Sequence, residues 1–199
     1  MKRAFDVAVA GALLIVLSPL ELLALAAMTV DMAVEPRDRG AFLYREARVS
    51  RGKTFDLLKL RTLRADVLAE AGGHARLLEL DPGNLTRAGR RILKPWYLDE
   101  LPQLWNVLRG DISLVGPRPW PPALVERQVA EGHDYRNRVR AGLTGPAQVS
   151  KGSGHAYLEL DLEYVDALRK LNGWQLIGHD LGILRRTVGV LARGEGLEY

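Results

Sequence analysis

MKRAFDVAVAGALLIVLSPLELLALAAMTVDMAV, residues 1–34, carries one charged side chain, Glu21, between Val7 and Val30. A continuous helix over that stretch would reach roughly 36 Å, enough to cross a hydrocarbon core of ~30 Å. Lys2-Arg3 at the start and the small residues from Ala24 to Ala27 also fit a secretory signal peptide. Against that, the apolar region is long and Glu21 would stand just before the cleavage zone. A buried helix of a soluble core is the third reading, and apolar residues on every face fit lipid better. Ser18-Pro19 complicates a simple crossing. A mid-helix proline removes one backbone hydrogen bond and crowds the preceding turn, and Ser18 can satisfy a freed carbonyl. The segment therefore either crosses with a kink or bends at Ser18-Pro19 and returns. Lys2 and Arg3 precede it and Arg37, Arg39, Arg45 and Arg48 follow, a pattern that keeps both ends on the cytoplasmic side.

The whole chain has 199 residues, a formal net charge of +4 and a pI near 9.5. That length suits one ordinary domain and is short for two. The basic balance points to an anionic partner (phosphate, nucleic acid or an acidic membrane surface), with a merely solubilising surface as the plain alternative. With no cysteine, disulfides and thiolate metal sites are excluded, and His74, His133, His155 and His179 lack ligand spacing.

Residues 37–64 hold nine Lys/Arg against three acidic residues. Phe42–Tyr44 and Thr54–Leu60 read as strands around a Ser50-Arg51-Gly52-Lys53 turn, a basic hairpin that would lie at the headgroup surface. Docking on anionic lipid is one use of it; contact of Lys59, Arg61 and Thr62 with a phosphate is the sharper one. Asp66–Leu80 has helical periodicity ended by DPGN, and Thr86 is placed to cap a basic helix through Leu93. Interfacial amphipathic helices are expected near the C-terminus, where Ile183, Leu184, Val188 and Leu191 oppose Arg185 and Arg186.

In YLDELPQLWNVLRGDISLVGPRP, residues 97–119, Leu98, Leu101, Trp105 and Leu108 recur at helical steps and are expected to face inward. Asp99, Gln103 and Asn106 share another stripe. Pro102 is tolerable only in a first turn, so Asp99 and Glu100 stand at or before the helix N-terminus, where carboxylates also serve as caps. Ile112–Val115 reads as a short buried strand. Pro117 and Pro119 fix the backbone on both sides of Arg118, holding its fork in one direction for a phosphate or a carboxylate. Further on, Arg136, Arg138 and Arg140 precede a Gly-Leu-Thr-Gly turn and an expected strand, Ala147–Val149.

These stretches together resemble the bacterial sugar transferase family, the monotopic phosphoglycosyl transferases. The likeness rests on KRAFDVAVA with SPLELLAL, FLYREARVSRGKTFDLLKLRT, LTRAGRRI, LDELPQLWNVLRGDISLVGPRP, RAGLTGPAQV and LELDLEYV. It implies an α+β, mainly helical fold. A re-entrant membrane helix broken at Ser18-Pro19 would occupy residues 1–36, and a cytoplasmic catalytic domain, 37–199, would lie on the inner membrane. It implies transfer of a sugar-1-phosphate from a UDP-sugar to undecaprenyl phosphate with release of UMP, as a first step of polysaccharide or glycoconjugate synthesis. Asp99 would be the nucleophile, ionised with a pKa near ~4 and facing a cleft. Glu100 would hold Mg²⁺; Arg118, with Pro117 and Pro119, would contact the nucleotide; Lys59, Arg61 and Arg136 would bind phosphate. Partners are then the two substrates and membrane lipids, with no nucleic acid and with a homo-oligomer left open. A single-step metal-dependent transferase and a non-catalytic scaffold on anionic lipid are the alternatives. Departures from the family pattern at Leu60, Leu63, Tyr97, Asn137, Ala141 and Pro146 leave the donor sugar unassigned.

Overall fold

A computed structural model describes residues 1–70, 75–150 and 157–193. The parts of the expected helices and loops at 71–74, 151–156 and 194–199 lie outside the described residues. The chain is mainly helical. Helix α1 covers Lys2–Val34 and is followed by strands β1, Leu43–Ser50, and β2, Lys53–Leu60. Short helices α2, Ala65–Glu70, and α3, Ala75–Leu78, lead to a π-helical turn at Gly89–Leu93 and a 3-10 turn at Leu98–Glu100. Then come α4, Gln103–Arg109, β3, Ser113–Val115, α5, Pro122–Ala130, α6, Tyr135–Arg138, and β4, Gly142–Thr144. Helices α7, Pro146–Val149, α8, Tyr157–Lys170, and α9, Gly173–Ala192, complete the described chain.

Helix α1 corrects one expectation. Ser18 and Pro19 lie inside a single helical element, and Ser18 Oγ donates to Ile15 O at 2.8 Å. The serine hydroxyl supplies a donor beside the one proline lacks, and the turn stays helical. Of its most apolar window only 11% is buried; Ile15, Val16, Leu22, Leu23 and Val30 are open. An apolar face that large and exposed is long enough to meet a membrane.

The boundary expected at residue 36 would divide a membrane segment from a catalytic domain; by packing, the chain falls into two compact units. One compact unit comprises residues 1–12, 47–57 and 104–199; the other comprises 13–46 and 58–103. In the first, Arg51 (φ 52°) and Gly52 (φ 71°) form the tight turn of the β1–β2 hairpin. There β3 also pairs with β4 in parallel, Ser113 beside Gly142 and Val115 beside Thr144. Gly142 permits this approach: a Cβ there would lie 2.1 Å from Gly116 N. The expected strand at Ala147–Val149 is instead helix α7, because Gly145 is extended and Pro146 opens the helix. The second unit has its apolar core where Ala24, Met28, Leu60, Ala88, Leu93 and Leu98 cluster, with Leu25, Met32, Ile92 and Leu101 against it.

Of the expected inward stripe, Leu98 is buried and Leu101 and Leu108 partly so, but Trp105 is corrected: it is 52% exposed, while Gln103 and Asn106 are buried beside Leu104 and Val107. Asn106 Nδ2 donates to Asp56 O and to Asp111, each at 2.8 Å, so hydrogen bonds let a polar side chain turn inward where the tryptophan does not.

Candidate active site

In the second unit, Asp99 and Glu100 end the 3-10 turn that precedes α4. Tyr97, just before it, has φ 54° and ψ 26°, a left-handed conformation rare for a bulky side chain. Leu98 and Leu101 on either side of the acidic pair belong to the same apolar cluster as Ala24 and Met28 of α1. Packing therefore holds the turn, and the turn fixes the carboxylates.

Asp99 is 3% exposed and Glu100 half-buried. Burial, with the Glu100 carboxylate next, pushes the Asp99 carboxyl up to about 7; Lys94 and Lys59 pull it back and Glu79 opposes them. The structure thus corrects the expectation of an ordinary carboxylate in an open cleft. Lys59 is buried, with its Nζ 3.7 Å from Glu46 Oε2. Lys94 Nζ donates to one oxygen of Glu79 and Thr62 Oγ1 donates to the other. Two lysines steadied by glutamates therefore set the field around Asp99.

Arg61 is spent differently. Its guanidinium donates to Ala41 O at 2.8 Å, Leu63 O at 2.7 Å and Asp38 O at 2.5 Å, tying three loop carbonyls together.

Among the described residues no group of three or more His, Asp or Glu side chains could hold a metal ion. Mg²⁺ does not require one, since it commonly takes one or two carboxylates and completes its shell with water and substrate phosphates. Adjacent Asp99 and Glu100 fit that donor set.

In the first unit the Pro117-Arg118-Pro119 turn is braced by backbone. Gly116 N donates to Thr144 O at 2.9 Å, Gly142 N to Pro117 O at 2.9 Å, and Val49 N to Trp120 O at 2.9 Å. Pro117 and Pro119 are buried while Arg118 is half-buried. Arg136 supports the turn from behind. It donates to Arg118 O, to Gln128 Oε1 at 2.9 Å and to Asp161 Oδ2 at 2.7 Å, and its guanidinium lies 4.0 Å over the Trp120 ring. Tyr135 Oη also donates to Asp161 Oδ2. The structure thus brings together Asp99, Glu100 and Lys59 in one unit, and Pro117, Arg118, Pro119 and Arg136 in the other.

Sequence reasoning missed Lys94 and Glu79 around the acidic pair, and Trp120, Gln128 and Asp161 behind the proline turn. Lys94 is four residues from Arg90, and nothing in that basic run distinguishes it. LELDLEYV did offer a signal: Asp161 and Tyr164, three apart on α8, share its buried face.

Comparison with known proteins adds the family. The sequence profile described as "Bacterial sugar transferase" matches residues 1–194. A "UDP-galactose-lipid carrier transferase" of Erwinia amylovora is 38% identical over 98% of this chain and 41% of its own length. A "UDP-glucose:undecaprenyl-phosphate glucose-1-phosphate transferase" of Caulobacter vibrioides is 38% identical over 94% of this chain and 68% of its own. The "Exopolysaccharide production protein ExoY" of Sinorhizobium fredii is 34% identical over 98% and 87%. The chain thus spans under half of the Erwinia protein and most of the Sinorhizobium one.

Proposed function

Because the chain belongs to the bacterial sugar transferase family, we propose that it moves a sugar-1-phosphate from a UDP-sugar to undecaprenyl phosphate, at the cytoplasmic face of the inner membrane. The observation that supports this most directly is the pinned acidic turn: Asp99 beside Glu100, with Lys59 and Lys94 acting on it.

An Asp99 carboxylate oxygen forms a bond to the sugar-bearing phosphorus, and the bond from that phosphorus to the bridging oxygen breaks. UMP leaves with that electron pair, and the sugar phosphate remains as an acyl phosphate on Asp99. A phosphate oxygen of the lipid acceptor then attacks the same phosphorus and releases the Asp99 carboxylate. Mg²⁺ bound at Glu100 would neutralise diphosphate charge and favour the ionised form of Asp99. Lys59 and Lys94 favour the same anion, and Arg118 on its rigid turn presents a guanidinium to the nucleotide. Arg61 and Arg136, whose donors go to protein oxygens, act by positioning.

The test is trapping. Full-length protein in detergent with Mg²⁺ and a panel of UDP-sugars, without acceptor, should release one UMP per chain and gain one sugar phosphate in intact mass. Asp99→Asn should do neither, and turnover by that variant at the wild-type rate refutes the assignment. UMP released only when acceptor is added, with no adduct, would favour the single-step route. Glu100→Gln should raise the Mg²⁺ concentration needed for half-maximal rate by tenfold or more, roughly the loss of one charged ligand; an unchanged requirement removes its ligand role.

A further inference from the structure

We propose that Arg3, Arg51 and Arg140, all in the first unit, form a binding site for the phosphate of an anionic lipid headgroup. The backbone brackets Arg140 closely. Arg51 N donates to Val139 O at 3.1 Å, Ala141 N donates to Ser50 Oγ at 3.1 Å, and Ser113 N donates to Ala141 O at 2.8 Å. The tip of the hairpin is thus fastened on either side of Arg140, which carries Arg51 to it. Arg3 arrives from α1. Its guanidinium donates to Val107 O at 2.5 Å and Leu108 O at 2.7 Å, and it lies 3.2 Å from the Cβ position of Gly110. Asp6, one turn along α1 from Arg3, accepts from Ser113 Oγ at 2.8 Å, so the N-terminus of α1 rests on the strand that pairs beside Arg140.

Arg140 Nε is buried without a hydrogen-bond partner. A buried guanidinium N–H left unpaired is costly and marks a place where an acceptor belongs. Burial, then the charges of Arg3 and Arg51, depress the Arg140 pKa, and Asp6 alone opposes them. Asp6 cannot neutralise the group by itself, for its oxygens also serve Ser113, Leu114 N and, at 3.8 Å, Lys2. Lys2 in turn pairs with Asp180. Around Arg140, the two cations Arg3 and Arg51 outweigh the one acid Asp6, an excess of positive charge that a phosphate would balance with charge-assisted bonds.

The choice of a lipid rests on α1 and on the membrane reading of that helix. Arg3 stands in its first turn, and the exposed apolar surface begins one turn later at Val7. The cluster therefore lies where an apolar helix leaves hydrocarbon, the depth at which headgroup phosphates are found.

The experiment uses the full chain in a neutral detergent and measures binding by thermal shift and by retained lipid in native mass spectrometry. Short-chain phosphatidate is the probe, short-chain phosphatidylcholine and inorganic phosphate are the comparison arms, and activity is not read. Phosphatidate should bind wild-type protein and raise its melting temperature. Arg140→Gln and Arg51→Asn should each weaken that binding roughly tenfold to a hundredfold. Asparagine accepts the left-handed backbone at 51, so this second variant keeps the turn if the first fails to fold. Arg127→Gln, at an exposed surface pair, should bind as wild type. Equal binding by the two cluster variants, equal weakening by Arg127→Gln, or inorganic phosphate binding as tightly as phosphatidate would each overturn the proposal. Because only binding is measured, failure here leaves the transfer reaction untouched.

Discussion

At the scale of the residue, Asp99 shows how much of a site is not written in its letters. The acidic pair was plain in the sequence, because two carboxylates opening an apolar segment of a basic chain require an explanation. What could not be read was its burial, which depends on Leu98 and Leu101 packing with Ala24 and Met28, residues seventy or more positions away. Burial changes the chemistry. A carboxyl whose folded pKa is about 7 against an ordinary 3.8 holds its proton more tightly in the native state. Its ionisation therefore costs stability; the cost is absent below 3.8, grows as pH rises toward about 7, and is complete above that. In metal-free protein, Asp99→Asn removes the cost. The variant should be more stable than wild type, with an advantage on the order of 2 kcal/mol larger at pH 8 than at pH 5. Thermal unfolding in detergent with a chelator measures this, and a pH-independent difference would show that Asp99 ionises as an exposed aspartate does. Added Mg²⁺ should restore part of the wild-type stability at pH 8, since a ligand of the native state stabilises it.

At the scale of the element, local rules succeeded where backbone chemistry dominates and failed where burial decides. The Ser50–Lys53 turn was legible because Gly52 follows a residue that must also take positive φ. The α4 stripe was not, since periodicity counts apolar side chains and cannot see that Asn106 is paid in hydrogen bonds to Asp56 and Asp111. Ala147–Val149 was read as a strand although Pro146, after an extended glycine, opens a helix. Tyr97 is the local violation that matters most, a bulky residue at φ 54° in front of the acidic pair. Such strain persists only where its surroundings enforce it. Comparing Tyr97→Asn with Tyr97→Val isolates the backbone, as both lose the phenol. Valine, β-branched and poorly suited to the left-handed region, should be less stable by about 1 kcal/mol. Chemical denaturation followed by tryptophan fluorescence gives the comparison, and equal stabilities would mean that the turn relaxes once the ring is gone.

At the scale of the whole molecule, the decisive element is α1, and its two ends are both held by polar contacts. Near the start, Arg3 donates to Val107 O and Leu108 O. Near the end, Asp31 accepts from Ala88 N at 2.5 Å. The chain between Ala88 and Val107 carries Arg90, Arg91, Lys94, Asp99 and Glu100, side chains that hydrocarbon does not admit without partners. Helix α1, 33 residues or roughly 50 Å long, exceeds a ~30 Å core, so length alone permits a crossing. Basic residues on both flanks instead predict that both ends stay on one side. Single cysteines placed at residues 2 and 37 of this cysteine-free chain should therefore react with an impermeant maleimide from the same side of oriented inner-membrane vesicles. Labelling of the two positions from opposite sides would show a helix that crosses and overturn the expectation. Salt at high concentration should leave the protein on the membrane under either outcome, because the bare apolar face of α1, not the net charge, holds it there.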